Sequence, residues 1–176
     1  MNAPPVESQY IISLEEVFWG GMLIAITMFI HGFGMLAVLR VKGALSGKFD
    51  ATPSLTKGLL ILIVASWMIM VVHLTEVMVW AGFFLWQGAF PNHSIAYYFS
   101  LNEYTTVGSN YNLPLRWRLL EGLIATAGLL TFAWSTGVLL TLAQEFQEQQ
   151  LLNRSEPPRP STGPVPVQPA GDSKPS

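Results

Sequence analysis

Long apolar segments constrain this chain more than any other feature. Residues 17–39 and 122–144 contain no Asp, Glu, Lys or Arg, and residues 58–86 carry only His73 and Glu76 as titratable side chains. Each segment is long enough to cross a hydrocarbon layer of about 30 Å as a helix. Charged residues make up 11% of the chain, whereas a soluble domain carries about 25%. The sequence therefore predicts an all-α membrane protein with three transmembrane helices.

The segments between and around these helices predict the orientation. Residues 40–57 carry four basic side chains and one acid and are interrupted by glycine and proline, which is typical of a cytoplasmic loop. Residues 1–16 contain no Lys or Arg, which predicts an extracytoplasmic N-terminus and argues against a cleaved signal peptide. Residues 153–176 are rich in proline and polar residues and predict a disordered cytoplasmic tail, for which a protein partner is the weaker alternative. We therefore expect a multi-pass protein of the cell membrane.

A fourth apolar segment is too short to span the bilayer. A helix over residues 94–105, with Ser94 as its N-cap, would be roughly 16–18 Å long. Residues 106–110 follow and read Thr-Val-Gly-Ser-Asn. Such a segment enters the membrane and returns, and non-helical backbone at that depth must line a protein-enclosed or watery cavity. Backbone carbonyl groups in such a cavity can replace the hydration shell of a cation. These features predict an ion-channel pore.

The residues around this loop carry a family resemblance. Thr105-Thr106-Val107-Gly108, preceded by an aromatic helix and followed by Pro114 and a long inner helix, resembles the pore of the tetrameric potassium-channel superfamily. The most similar members are small prokaryotic channels with a two-helix pore, here with an extra N-terminal helix. The resemblance covers residues 58–152. It implies a passive potassium channel, a homotetramer in the lipid bilayer that is not an enzyme and needs no cofactor besides permeant K+ ions.

The resemblance also assigns roles to individual residues. Gly128 falls where the family places the hinge of its inner helix, although close packing against a neighbouring helix explains a glycine there equally well. The remaining assignments are a selectivity filter made of Thr106, Val107, Gly108, Ser109 and Asn110, and a supporting pore helix with Tyr98, Phe99, Asn102, Glu103 and Thr105.

The loop departs from the family at its outer end. The usual filter reads Thr-Val-Gly-Tyr-Gly followed by an acid, whereas this chain has Ser109, Asn110 and then Tyr111. Asparagine tolerates left-handed backbone better than most residues, but the aromatic side chain and the acid that brace the filter are missing. Potassium selectivity and non-selective monovalent cation conduction therefore both remain open. A non-conducting sensor or accessory subunit is the alternative from another class.

His73 and Glu76 form the one polar pair within a predicted span. They lie three residues apart and share a helix face, and an ionisable side chain at this depth must face protein or water. We favour a buried hydrogen-bonded pair that locks this helix to another, ahead of a proton-sensitive element. A metal site would need further ligands from other helices, and a membrane enzyme or quinone-linked protein that uses His31, His73 and Glu76 is a further alternative. The remaining histidines are His31, expected to be neutral and to face a neighbouring helix, and His93.

Several charged residues lie near the predicted outer mouth. We expect Glu103 to be a structural carboxylate behind the loop, ahead of a role in concentrating cations. Arg116 and Arg118 would repel cations if they were exposed to the pore, so we expect them to be paired, with Glu121 at i, i+3 as one partner of Arg118. The net charge of −2 argues against a nucleic-acid partner. The absence of cysteine excludes disulfides and cysteine-ligated metals.

Overall fold

Helices account for almost all of the described chain. The computed structural model describes residues 10–48 and 55–155, and it contains no strand within them. The elements are α1 (Leu14–Lys48), α2 (Leu55–Trp86), α3 (His93–Tyr104), a short 3-10 turn (Leu115–Trp117) and α4 (Leu119–Ser155). The predicted all-α class is confirmed. Residues 1–9, 49–54 and 156–176 lie outside the described part, so most of the predicted tail and part of the predicted N-terminal and loop segments are not described.

Three apolar helical stretches are long enough to cross a membrane. They comprise 33, 32 and 34 residues and cover Leu14–Ser46, Leu55–Trp86 and Leu115–Glu148. At 1.5 Å per residue each is about 50 Å long, more than a hydrocarbon layer requires. Their length and composition indicate a membrane protein and agree with the three predicted spans.

Two boundaries differ from those expected from the sequence. Helix α1 continues through Arg40 and Lys42 to Lys48 instead of giving way to a loop at residue 40. Gly43 does not end the helix, and in this additional stretch Lys42 forms an ion pair with Glu145 of α4. At the start of α3, Asn92 takes the place of the expected Ser94 as N-cap, because its side-chain oxygen accepts the Ile95 N–H at 2.9 Å.

Glu16 ties the first turns of α1 and α4 together. Its carboxylate accepts the Ser13 N–H at 3.1 Å while the Ser13 hydroxyl accepts the Glu16 N–H, also at 3.1 Å, which is a capping box. The same carboxylate accepts the Leu119 N–H at 3.0 Å. Since α1 and α4 both begin here, they run in the same direction. Helix α2 connects them along the chain and runs in the opposite direction. We call this end of the bundle the Glu16 end.

Helix α3 runs from the Glu16 end into the bundle. Its last residue is Tyr104, and the Tyr104 hydroxyl is hydrogen-bonded to Glu76 of α2 and to Thr131 of α4. Glu76 lies ten residues before the end of α2, a distance of roughly 15 Å along the helix. The C-terminal end of α3 is therefore well inside the bundle, between α2 and α4.

The core consists of two apolar clusters with a polar layer between them. The larger cluster surrounds α3, and its biggest fully buried side chains include Trp80, Phe84, Phe99 and Trp117. The smaller cluster lies toward the opposite end of the bundle and consists of Met35, Val38, Ala65, Ile69 and Leu142. Each long helix also carries buried polar residues between its contributions to the two clusters. These are His31 on α1, His73 and Glu76 on α2, and Thr131 and Ser135 on α4. This polar layer sits directly beneath the end of α3.

Candidate functional site

The backbone of the loop after α3 alternates between ordinary and left-handed conformations. Thr106 has a φ of 61° and Gly108 a φ of 80°, and no other residue from 105 to 110 has a positive φ. Glycine adopts this region without steric cost. A β-branched residue such as threonine does so only under strain, which is found most often at functional sites. The loop is thus held in an unusual conformation at the position predicted for the filter.

The end of α3 holds this loop in place. The carbonyl oxygen of Asn102 accepts the N–H groups of Val107 at 2.9 Å and Gly108 at 3.3 Å, and the Glu103 carbonyl accepts the Thr106 N–H at 2.9 Å. These bonds satisfy carbonyl groups that a helix C-terminus otherwise leaves without partners. The Thr105 hydroxyl donates to the Leu101 carbonyl at 2.8 Å. The predicted supporting residues Asn102, Glu103 and Thr105 are therefore in contact with the loop or with the helix end that carries it.

Glu103 also anchors the outer part of the loop through its side chain. Its carboxylate accepts the Ser109 N–H at 2.8 Å. Burial raises the pKa of Glu103, and the negative charge of Glu121 raises it further, although the hydrogen bond from Ser109 acts in the opposite direction. The carboxylate that holds the loop therefore belongs to Glu103 on α3, whereas the loop itself has no acidic residue.

Tyr111 provides an aromatic contact next to the loop. Its ring meets Tyr98 of α3 edge-on, with centroids 6.2 Å apart, and its N–H donates to the Ser109 hydroxyl at 3.1 Å. Ser109 itself is half-buried, and Asn110 is exposed. The missing aromatic at position 109 is thus partly replaced by one two residues later.

The middle of the loop has little protein around it within one chain. Thr105, Thr106, Val107 and Gly108 are all exposed, and Val107 is 75% exposed. On the opposite side, the helix that carries the loop is firmly packed. Phe99 is fully buried, 4.8 Å from Phe90 between ring centroids, and a Cβ on Gly128 would lie 1.9 Å from the Tyr104 carbonyl oxygen. The loop therefore projects from a rigid support into unoccupied space.

Behind the loop, Glu76 is the centre of a buried hydrogen-bonded cluster. Its carboxylate contacts His31 Nδ1 at 2.9 Å and accepts the Tyr104 hydroxyl. His73 Nδ1 lies 2.8 Å from the Tyr104 oxygen and 3.6 Å from Glu76 Oε2. Glu76 and His31 are both fully inaccessible to solvent. The predicted pair His73 and Glu76 therefore belongs to a larger network that joins α1, α2 and α3.

Helix α4 completes the network with two hydroxyl groups. Ser135 Oγ lies 3.0 Å from His73 Nε2 and 3.2 Å from His31 Nε2, and it also donates to the Thr131 carbonyl at 2.9 Å. The Thr131 hydroxyl contacts the Tyr104 hydroxyl and bonds to the carbonyl of Gly128 at 3.0 Å. All four helices meet in these contacts.

The geometry of this cluster is that of hydrogen bonds. His31, His73 and Glu76 offer three potential metal-ligating atoms within 4.8 Å of one another. However, the distance of 2.9 Å between His31 Nδ1 and Glu76 Oε1 is typical of a hydrogen bond with a proton between the two atoms. Two atoms bonded tetrahedrally to one ion at about 2.1 Å each would be separated by roughly 3.4 Å. The observed contact therefore favours a proton at this position.

Sequence reasoning missed part of this cluster. It noted His31 as the only titratable group of its segment and grouped it with His73 and Glu76, more than 40 residues away, only in the alternative of a membrane enzyme. Thr131 and Ser135 were not singled out. The available signal was their i, i+4 spacing, which puts two hydroxyl groups on one face of an otherwise apolar helix.

The two outer arginines are both paired. Arg116 contacts Glu15 at 2.6 Å across an exposed surface, and Arg118 contacts Glu121 at 3.3 Å. This confirms the expectation that these cations have partners. Exposed pairs of this type contribute little to stability, and their effect here is to neutralise positive charge near the Glu16 end.

Comparison with protein-family models, with curated proteins and with solved structures found no match. The structure by itself defines a general class. The chain is an all-helical protein with three helices long and apolar enough to span a membrane. A strained, exposed loop follows the buried end of α3, and a buried polar cluster lies beneath it.

Proposed function

We propose that the chain is a subunit of a passive channel for monovalent cations, and that potassium is the preferred ion. In this proposal four copies surround one axis, and each contributes the loop 106–110 to a shared filter. The Glu16 end faces outward and the end that carries Lys42 faces the cytoplasm, in a cell membrane.

The loop conformation carries the proposal. Positive φ values at Thr106 and Gly108, with an ordinary residue between them, alternate along the chain. This alternation is what successive carbonyl groups need in order to point toward the same side, and a row of carbonyl oxygens can replace a cation's hydration shell. Backbone strain of this kind is found most often at functional sites, and Thr106 holds it directly after the end of α3.

The depth of α3 also supports a pore. The helix is only 12 residues long, so it cannot span the membrane. It ends roughly 15 Å inside the bundle, where Tyr104 contacts Glu76 and Thr131. Irregular backbone at that depth is tolerated only when protein or a water-filled cavity surrounds it. A re-entrant helix and a loop that lines a pore satisfy this condition.

The exposure of the loop is the reason for proposing several copies. A chain that leaves Val107 75% exposed at membrane depth has an incomplete site, and nothing in the sequence repeats to supply a second loop. Other copies around an axis would cover Val107 and bring equivalent carbonyl groups together. Closed rings of identical subunits are the usual way in which single chains build such a symmetric site.

The experiment is an ion-flux measurement on purified protein in liposomes. We expect the wild type to take up rubidium, and the reversal potential in mixed potassium and sodium to report the selectivity. Gly108→Ala should lose most of the flux, since alanine at a φ of 80° is strained. Gly21→Ala is the matched control, because a Cβ at Gly21 meets nothing within 4 Å, and it should keep the flux.

Each outcome has a definite meaning. A reversal potential that does not distinguish potassium from sodium would contradict potassium selectivity and support a non-selective cation channel of the same architecture. The absence of potassium, sodium and rubidium flux at every voltage and pH would overturn the proposal and favour a non-conducting accessory or sensor subunit.

A further inference from the structure

Two imidazole rings converge on a single hydroxyl group in the buried cluster. His73 Nε2 and His31 Nε2 lie 3.0 Å and 3.2 Å from Ser135 Oγ, and all three side chains are buried. A serine hydroxyl carries one proton. If neither nitrogen carried a proton, the one proton of Ser135, which also has the Thr131 carbonyl as an acceptor at 2.9 Å, could not serve both of them, and at least one Nε2 would be a buried acceptor without a donor. At least one Nε2 must therefore carry a proton.

The opposite ring nitrogens face oxygen atoms. His73 Nδ1 lies 2.8 Å from the Tyr104 hydroxyl. Because Tyr104 donates its single proton to Glu76, His73 Nδ1 has to be the donor in this contact. His31 Nδ1 lies 2.9 Å from Glu76 Oε1, and one proton lies between these two atoms, on whichever of them is the stronger base.

These contacts together require at least three protons on His31, His73 and Glu76, and three is the number that leaves the group without net charge. One lies on an Nε2 beside Ser135, one on His73 Nδ1, and one between His31 and Glu76. Two neutral imidazoles and one carboxylate carry only two protons and a net charge of −1. The third proton makes the three side chains neutral as a group, and a buried group with no net charge avoids a large desolvation penalty.

The surroundings of the site favour the neutral state. The titratable groups that face it are His31 from α1, His73 and Glu76 from α2, and Tyr104 from α3, while α4 contributes the hydroxyl groups described above. Aromatic side chains pack against both histidine rings. Phe132 is stacked on His73, with ring centroids 4.4 Å apart, and Trp134 is tilted against His31, with ring centroids 5.3 Å apart. A charge imbalance in such an apolar setting is poorly screened.

We propose that His31, His73 and Glu76 form a proton-binding site that holds one shared proton, and that its gain or loss acts on the loop that follows Tyr104. Tyr104 is the physical connection. Its hydroxyl is part of the cluster, its carbonyl is pressed against Gly128, and the strained Thr106 comes two residues later. A change in the proton count alters the net charge of the group that the Tyr104 hydroxyl contacts, and so acts on the end of α3. An effect on conduction rests on the proposed function, but proton binding and its effect on the loop do not.

The proton count can be measured directly. Full-length protein labelled with ¹⁵N-histidine in lipid bilayers gives the number of protonated ring nitrogens by solid-state NMR, and infrared spectroscopy shows whether Glu76 is protonated, with Glu76→Gln to assign the band. At pH 7.5 we expect three protons on the three side chains, and a count of two would overturn the site.

The link to the loop has its own readout. In a pH titration, the amide signal of Gly108 should shift with the same midpoint as the ring signals of His31 and His73. His93 is the internal control, since it is exposed at the start of α3 and lies outside the buried cluster. A Gly108 amide signal that does not change together with the ring signals of His31 and His73 would overturn the link. These measurements need no conduction, so a protein that fails the flux experiment would still give a readable result here.

Discussion

The carbonyl oxygen of Tyr104 occupies the space that a side chain on Gly128 would need, because a Cβ built there lies 1.9 Å from that oxygen. Helices α3 and α4 therefore meet backbone against backbone, at the position where the resemblance placed a hinge. This contact fixes the end of α3 against α4 and so fixes the base from which the strained loop starts. A hinge role for Gly128 stays a prediction, but close packing alone is a sufficient reason for glycine at this position.

Adding a methyl group at Gly128 should separate α3 from α4. We expect Gly128→Ala to destabilise the protein by about 1–3 kcal/mol, the usual cost of overpacking, as measured by thermal unfolding in detergent. Gly137→Ala on the same helix is the control, since a Cβ there meets nothing within 4 Å, and its higher helix propensity should stabilise by up to about 1 kcal/mol. Equal effects of the two substitutions would contradict the close contact.

Glu103 should make the stability of the protein depend on pH. Because burial raises the pKa of Glu103 above its usual range, the folded state binds this proton more tightly than the unfolded chain. The stabilisation is complete below the unfolded-state pKa and is lost as the pH rises through the folded-state pKa. We expect Glu103→Gln to gain stability relative to the wild type as the pH rises above about 4, measured as the difference between their unfolding temperatures. A difference that moves in the opposite direction would refute the raised pKa.

The hydrogen bond from Ser109 gives a second test of the same carboxylate. Gln at position 103 keeps an oxygen that can accept the Ser109 N–H, whereas Glu103→Ala leaves that N–H without its partner. Loss of a hydrogen-bond acceptor of this kind costs about 1–3 kcal/mol. The alanine variant should therefore be less stable than the glutamine variant at every pH.

Glu76 should be far more important for stability than an exposed acid. Glu76→Ala removes the partner of His31 and of Tyr104 in the buried cluster and should cost about 3–5 kcal/mol, as when one partner of a buried pair is removed. Glu148→Ala is the matched control, because Glu148 is exposed, and its effect should stay within about 0.5 kcal/mol. Chemical denaturation of both variants measures the two effects, and similar values would show that the cluster does not hold the helices together.

The architecture could be predicted from the sequence because it depends on local properties. Apolar segments of more than 20 residues with at most one charged side chain define the long helices, and a 12-residue helix cannot span regardless of its surroundings. The boundaries were less accurate. Lys42 was assigned to a loop because glycines follow it, and its ion pair with Glu145 across more than 100 residues could not be seen in the sequence.

The candidate site was predictable only in part, for the same reason. The loop itself is a contiguous motif, so its residues could be named. The buried cluster unites His31, Glu76, Tyr104 and Ser135 from four helices, and their spacing along the chain contains no regular pattern. The tie from Glu103 to the Ser109 N–H agrees with the structural carboxylate expected behind the loop. The contact of Tyr111 was missed, because the resemblance directed attention to residues that are absent at positions 109 and 110. A side chain on a neighbouring element can replace a missing contact, and only three-dimensional structure reveals it.

Restoring the family's residues in the outer loop should sharpen selectivity. In the double variant Ser109→Tyr and Asn110→Gly, the backbone N–H at position 109 can still donate to Glu103, so the tie at 2.8 Å is retained. Glycine at position 110 relaxes the backbone, and tyrosine adds the missing aromatic contact. We expect the ratio of potassium to sodium permeability, measured from the reversal potential, to rise in the double variant. Ser109→Tyr combined with Glu103→Ala should lose this gain, because the aromatic side chain would then sit on a loop without its anchor. A channel whose selectivity is unchanged in the double variant would show that the outer part of the loop does not contact the permeant ion.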